Sequence, residues 1–194
     1  DKHIQNFSIL ARGKSISFVK NVGQGTFGSV SVVKINNIDY AVKLQIIKNP
    51  TNFNKMEFEV SISNMLKEYR RSDGQRIALP IFDCFFLCKK GGMESCHGIM
   101  IHIMELGVDN LDNLIKAKPT VNFGKKEFKI MLLREAMVKM IENIHLMVTS
   151  AKLINLDIKP LNSVYNFKRD DETFMINPII IDFGPEFCYT DIHK

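Results

Sequence analysis

Asp157, Lys159 and Asn162 stand within six residues of one another in Leu153-Ile-Asn-Leu-Asp-Ile-Lys-Pro-Leu-Asn162. A carboxylate can accept a hydroxyl proton, a lysine can neutralise a phosphoryl oxygen, and an asparagine can hold a metal. The spacing D-x-K-x-x-N therefore supplies the parts of a phosphoryl-transfer site. Polar residues after an apolar pair also cap helices and make turns, so the decapeptide alone leaves both readings open. A further carboxylate comes in Asp182-Phe-Gly184. It follows an apolar strand over 174–181, where a strand terminus freed by glycine is well placed to hold a cation.

Upstream, Gly23-Gln-Gly-Thr-Phe-Gly28 is a G-x-G-x-x-G run. It lets a backbone approach a phosphate without Cβ clashes, and Phe27 can cap the loop tip, although unliganded glycine-rich hairpins share the pattern. Residues 29–33 after it read as strand. A dinucleotide-binding fingerprint would open a helix there, so the expectation is strand, loop, strand over 16–34. Asn36-Asn37 supplies a turn, and Tyr40-Ala-Val-Lys-Leu44 makes a third strand in which Lys43 needs an anion. A helix is expected over 54–69 from the spacing of Phe58, Ile62, Met65, Leu66 and Tyr69, with Pro50, Thr51 and Asn52 as start signals. Glu59 lies on its inward side as the expected partner of Lys43, with Glu57 in reserve and a solvated Glu59 as the plain alternative.

The remaining elements carry less chemistry. Residues 70–76 read as a polar turn, 77–88 as a strand interrupted at Pro80, 89–98 as an exposed hairpin loop and 98–104 as a fifth strand. His102 in that strand reads as a structural histidine with its hydrogen bonds satisfied. A helical stretch over 109–116, a linker over 116–126 and a long amphipathic helix over 127–147 come next, then a looser 148–152 and a charged turn over 167–173.

Composition narrows the class. The 194 residues, 45% hydrophobic and 24% charged, describe an ordinary globular chain. A net charge of +5 permits acidic or phosphate-bearing partners, but Lys and Arg are scattered and a dedicated nucleic-acid site is not expected. Cys84, Cys88, Cys96 and Cys188 form no C-x-x-C pair and read as buried thiols. On one strand, Cys84 and Cys88 would lie ~13 Å apart, too far for one zinc. No signal-type or membrane-spanning apolar run is present, so an intracellular location in cytoplasm or nucleus is expected, that of the host if the source is viral.

The order of glycine loop, Ala-Val-Lys, helix with Glu, D-x-K-x-x-N and D-F-G resembles the eukaryotic protein kinases. The connector Met104-Glu-Leu-Gly-Val-Asp-Asn-Leu-Asp-Asn-Leu114 is similar to the hinge of the casein kinase I and vaccinia-related kinase group. The resemblance implies an α+β, bilobal fold: a five-stranded antiparallel N-lobe with one main helix (1–106) and a shortened, mostly helical C-lobe (107–194). It implies ATP and Mg²⁺ as cofactors and transfer to serine/threonine hydroxyls of a protein substrate. Gly23, Gly25 and Gly28 would cover the phosphates, and Lys43, held by Glu59, would contact them. Asn162 and Asp182 would hold Mg²⁺, Asp157 would orient the substrate hydroxyl and take its proton, and Lys159 would steady the transferring group. Val30, Ala41 and Met104 would line the adenine pocket, and the backbone of Glu105 and Gly107 would bond the base.

The chain also departs from that family. Asn155-Leu156 stands where the family has His-Arg before the aspartate. Asn155 can replace only part of what the histidine does, and Leu156 cannot pair with a phosphorylated activation loop. His145 precedes Asp157 by 12 residues, which implies an enlarged loop around 148–152. Ten residues come after Gly184, so the peptide platform is not among them. A homodimer contact, or a partner covering the shortened C-lobe, is expected if that shortness is natural. The alternative function is a kinase-like module that binds nucleotide or a partner and transfers nothing.

Overall fold

The computed structural model describes residues 15–25, 28–88, 97–116, 126–169 and 174–190. The expectations for Phe27, for Cys96, for most of the 89–98 loop, for the 116–126 linker and for the end of the 167–173 turn lie outside them. The chain is α+β and divides into two compact units, 1–57 with 80–106 and 58–79 with 107–194. Residues 58–79, expected in the first domain, group with the second unit.

The first unit is built on a five-stranded antiparallel sheet, β1 (Ile16–Gly25), β2 (Gly28–Ile35), β3 (Ile38–Ile47), β4 (Ile81–Cys88) and β5 (Gly98–Glu105), in the order β1-β2-β3-β5-β4. The glycine cluster is the end of a hairpin, with Gly25 opposite Gly28 and no helix after it. The next hairpin turns at Asn36 and Asn37, whose φ values of 51° and 64° are the left-handed pair that matches strand twist and that asparagine tolerates. Val33, Val42, Ile101 and Ile103 form a buried cluster flanked by Phe18, Tyr40 and Phe85. Residues of the opposite parity (Val30, Val32, Ala41, Lys43, Gln45, Met100, His102 and Met104) lie on the other face.

Helix α1 (Pro50–Leu66) starts four residues before the expected Asn54. Asn49 caps it: its side-chain oxygen accepts from Asn52 N–H at 2.8 Å and its carbonyl from Phe53 N–H at 3.2 Å, with Pro50 as the first helical residue. The expected strand over 77–88 is cut at Pro80. β4 begins after it, while Ala78 bridges Ile180 in parallel and Leu79 N–H donates to the Ile180 carbonyl. Proline has no N–H to carry a ladder onward, so the two sides of Pro80 join different sheets.

In the second unit β6 (Asp109–Asn110) leads into the short helix α2 (Leu111–Ile115), capped by the Asn110 side chain. Helix α3 (Lys126–Thr149), β7 (Leu153–Asn155), a 3-10 turn at Pro160–Asn162, β8 (Ser163–Arg169), β9 (Phe174–Ile180) and β10 (Cys188–Thr190) complete it. The described residues of this unit are therefore not mostly helical. β6, β8 and β9 form one sheet, and β7 and β10 another. Tyr165 and Phe167, on one side of β8, meet with ring centres 5.1 Å apart and planes tilted by 59°. Tyr165 joins Leu111, Leu114, Leu132, Ala136 and Ile176 in a buried cluster.

No enlarged loop comes after α3. The helix runs to Thr149, Ala151 N–H closes onto the Leu146 carbonyl at 3.1 Å, and Lys152 turns the chain at φ 53° into β7. The polar turn expected over 70–76 is closed by a bridge between Arg70 and Arg76, and one of its residues is buried. Arg71 is 3% exposed, and its guanidinium donates to Asn143 Oδ1 at 2.7 Å, to Asp73 Oδ2 at 3.1 Å and to Asn177 Oδ1, while Asn143 donates to the Pro178 carbonyl. One buried cation thus ties the segment after α1 to α3 and β9.

Candidate functional site

The decapeptide joins β7 to the 3-10 turn at Pro160–Asn162. β7 brings Leu153 into a core shared with Ile62, Leu66, Ile77, Met147, Ile180, Phe183 and Cys188. Leu153 and Phe183 are both 0% exposed, and each such burial stabilises by roughly 1.5–3 kcal/mol. These anchors fix Asp157 and Asp182, one a few residues after the first and the other directly before the second.

Asn155 links the two. Its Nδ2 donates to the Asp182 carbonyl at 2.9 Å, and its Oδ1 accepts from Asp157 N–H at 2.9 Å. A short amide with one donor and one acceptor thus spans both backbones. Leu156, 67% exposed, makes no such link through its side chain, and its N–H donates to the Phe187 carbonyl at 2.9 Å, where β10 pairs with β7.

Around the Asp157 carboxylate, Lys159 Nζ lies 2.8 and 2.7 Å from the two oxygens, and Asn162 Nδ2 lies 2.8 Å from Oδ2 and 3.1 Å from the Asp157 carbonyl. Asn162 is itself held by the 3-10 turn and by its carbonyl, which accepts from Ile181 N–H at 3.1 Å. With its amide nitrogen turned to Asp157, its side-chain oxygen is the atom left to meet a cation. Asp157, Lys159, Asn162 and Asp182 are thus brought together. Their oxygen donors are of the hard type that Mg²⁺ takes, and Mg²⁺ needs only one or two protein carboxylates because it keeps waters and phosphate oxygens. Among the described residues no group of three His, Cys, Asp or Glu side chains comes together as a metal site.

Cys188 lies beside this cluster and is missed by sequence reasoning because it pairs across the β7–β10 ladder. Burial, followed by the carboxylates of Asp182, Glu59, Glu186 and Asp157, pushes its thiol up to about 12. Glu59, 6% exposed, therefore faces inward as expected. Glu186, two residues beyond Gly184, belongs to the same acidic surroundings.

In the first unit Lys43 is half-buried opposite Val30 on β2 and His102 on β5, and Ala41 lies opposite Val32 and Met104. Val30, Ala41, Lys43 and Met104 therefore share a face. Gly23 has open space where a Cβ would be, whereas a Cβ on Gly28 would lie 1.7 Å from the Leu44 carbonyl oxygen, so the sheet itself demands glycine there. Gly25 lies opposite Gly28 at the hairpin end. Glu105 N–H donates to the Pro80 carbonyl at 3.3 Å. Gly107 belongs to the second unit, where a Cβ would stand 2.8 Å from Val164 Cβ. Lys43 and Glu59 fall in different units.

His102 differs from its expectation. It is 0% exposed, and neither ring nitrogen has a hydrogen-bond partner. Burial, then the charge of Lys43, lowers it to about 4, so it is neutral.

Neither the protein-family models nor the curated proteins give a match to this chain. Among the described residues no helix is long and apolar enough to cross a membrane.

Proposed function

We propose that this chain is a divergent member of the protein kinases, with a bilobal fold, and that it transfers the γ-phosphoryl group of ATP to serine or threonine hydroxyls of a protein. The observation that carries the reading is the clasp of Asn155, Asp157, Lys159 and Asn162 onto the Asp182 backbone. It sets a carboxylate, a cation and an amide oxygen at one place. The order of glycine hairpin, Lys43, Glu59, this clasp and Asp182 is the order such an enzyme uses.

Each role rests on chemistry. Asp157 aligns the attacking hydroxyl and takes its proton. Lys159, which rests on Asp157, moves its charge to the transferring phosphoryl group, where negative charge lies in the transition state. Asn162 and Asp182 would hold Mg²⁺, which when bound neutralises phosphate oxygens. Gly23, Gly25 and Gly28 cover the phosphates, and Lys43 contacts them. Val30, Ala41 and Met104 pack on the adenine, and Glu105 and Gly107 offer backbone groups to its edge. The loose transition state asks for positioning and charge, which rigid elements supply.

The second reading, a module that binds nucleotide or a partner without transfer, has one observation in its favour. Both Asp157 oxygens accept from Lys159, which occupies the carboxylate that a substrate hydroxyl would have to reach. The two readings part on the Asp157→Asn variant, assayed for ³²P transfer from Mg·ATP to the protein itself and to basic and acidic protein substrates. Transfer by the parent and a drop of about a hundredfold or more in a variant that still binds ATP supports the enzyme. Equal transfer by the two proteins refutes the role of Asp157, and ATP binding with no transfer by the parent supports the module. A cytoplasmic or nuclear location, and a protein partner or second copy on the second unit, belong to the same proposal.

A further inference from the structure

β4 and β5 bring a thiol, a thioether and an imidazole to one face of the first unit's sheet. Cys84 lies directly opposite His102, and Met100 is two residues from His102 on the same strand. Cys84 Sγ is 3.3 Å from Met100 Sδ. His102 is fully buried with both ring nitrogens unpartnered. Gln45, 4% exposed, lies opposite Met100 on β3 and so diagonal to His102, and its Oε1 is also buried without a partner. Buried polar atoms left unsatisfied are costly, and here three of them, two on His102 and one on Gln45, occur on adjacent positions of one face.

We propose that Cys84, Met100 and His102 form a binding site for a single soft monovalent cation, copper(I). Sulfur, sulfur and imidazole is a donor set that selects copper(I) over Mg²⁺ or Ca²⁺. The charge agrees. Lys43 stands opposite His102, so a divalent ion on one thiolate would leave net positive charge beside a lysine, whereas copper(I) on one thiolate is neutral and suits a buried place. The thiol of Cys84 gives its proton to solvent as the Cu–S bond forms, and one imidazole nitrogen of His102 donates its lone pair. The other nitrogen, as N–H, then donates to Gln45 Oε1, the outer hydrogen bond that metal-bound histidines make. Two metal–sulfur bonds of about 2.3 Å meeting near 120° set their sulfurs ~4 Å apart, so the pair opens by well under 1 Å to admit the ion. Cys84 is only half-buried and provides the path of entry. This site does not depend on the phosphoryl-transfer reading.

The test is anaerobic competition for copper(I) between the protein and a coloured copper(I) chelator, in a background with Cys88 and Cys96 changed to serine. The background protein is expected to hold one equivalent, with X-ray absorption showing two sulfur and one nitrogen neighbours. Cys84→Ser and Met100→Leu should each weaken binding by at least about tenfold, and Gln45→Leu by roughly ten- to a hundredfold. Met100→Leu nearly conserves volume, so its fold is preserved, and circular dichroism checks each variant. A background protein that yields all copper to the chelator, or folded Cys84→Ser and Met100→Leu proteins that hold it as tightly as the background, overturns the site.

Discussion

Changing His102 to leucine removes a buried neutral imidazole, and the pH dependence of stability reports its loss. In the folded, copper-free protein the ring is neutral down to about 4, whereas its ordinary value is 6.5. The unfolded chain therefore takes up a proton that the folded one refuses throughout that window. Stability from the neutral ring is fully present above 6.5 and is lost as pH falls toward 4. Each pH unit costs up to about 1.4 kcal/mol, so the whole window amounts to roughly 3 kcal/mol. His102→Leu lacks this loss, and at pH 7 it also relieves two unpartnered ring nitrogens, so it should be no less stable than the parent there. The assay is urea unfolding of both proteins at several pH values between 7 and 4. His97 and His145, both exposed, and all carboxylates are common to the two proteins and cancel in the difference. The stability difference should grow by about 3 kcal/mol in favour of the variant as pH falls. Parallel loss of stability in parent and variant would refute the reasoning.

Other substitutions probe the remaining contacts. Arg71→Met leaves Asn143, Asp73 and Asn177 without their buried cation and should cost about 3–5 kcal/mol, read as a lowered midpoint in urea. Asn155→Leu breaks both bonds of the clasp and should destabilise by roughly 2 kcal/mol while lowering phosphoryl transfer further than its effect on unfolding explains. Gly28→Ala places a methyl against the Leu44 carbonyl and should lower the melting temperature, whereas Gly23→Ala, which meets open space, should leave melting unchanged and weaken only ATP binding.

Local signals specify the first unit well. Asn36-Asn37 marks its turn because asparagine adopts positive φ at little cost, and strand character after Gly28 comes from Val30, Val32 and Val33. Non-local partners are not legible. The start of α1 at Pro50 depends on Asn49 as cap, and the burial of Arg71 depends on Asn143 and Asn177, far along the chain. The alternation of Tyr165 and Phe167 is a visible strand signal that the charged residues after it obscure, and β10 is too short to show a period. At the candidate site the acid, lysine and asparagine are legible from their spacing. The bridging role of Asn155 is not, because it needs the carbonyl of Asp182, brought near by a core that no single stretch encodes. His102 reads as satisfied because most buried histidines are, and only the neighbouring strands reveal that no donor or acceptor reaches it.

The most direct measurement of the proposed chemistry is γ-phosphoryl transfer from ATP to protein with and without Mg²⁺, the Asp182→Ala protein alongside the parent and the phosphorylated residue identified. Mg²⁺-dependent transfer to serine or threonine, lost in Asp182→Ala while its fold persists, is the predicted result. Transfer by the parent that is undiminished without Mg²⁺ or in Asp182→Ala, or no transfer by a parent that binds Mg·ATP, would contradict it.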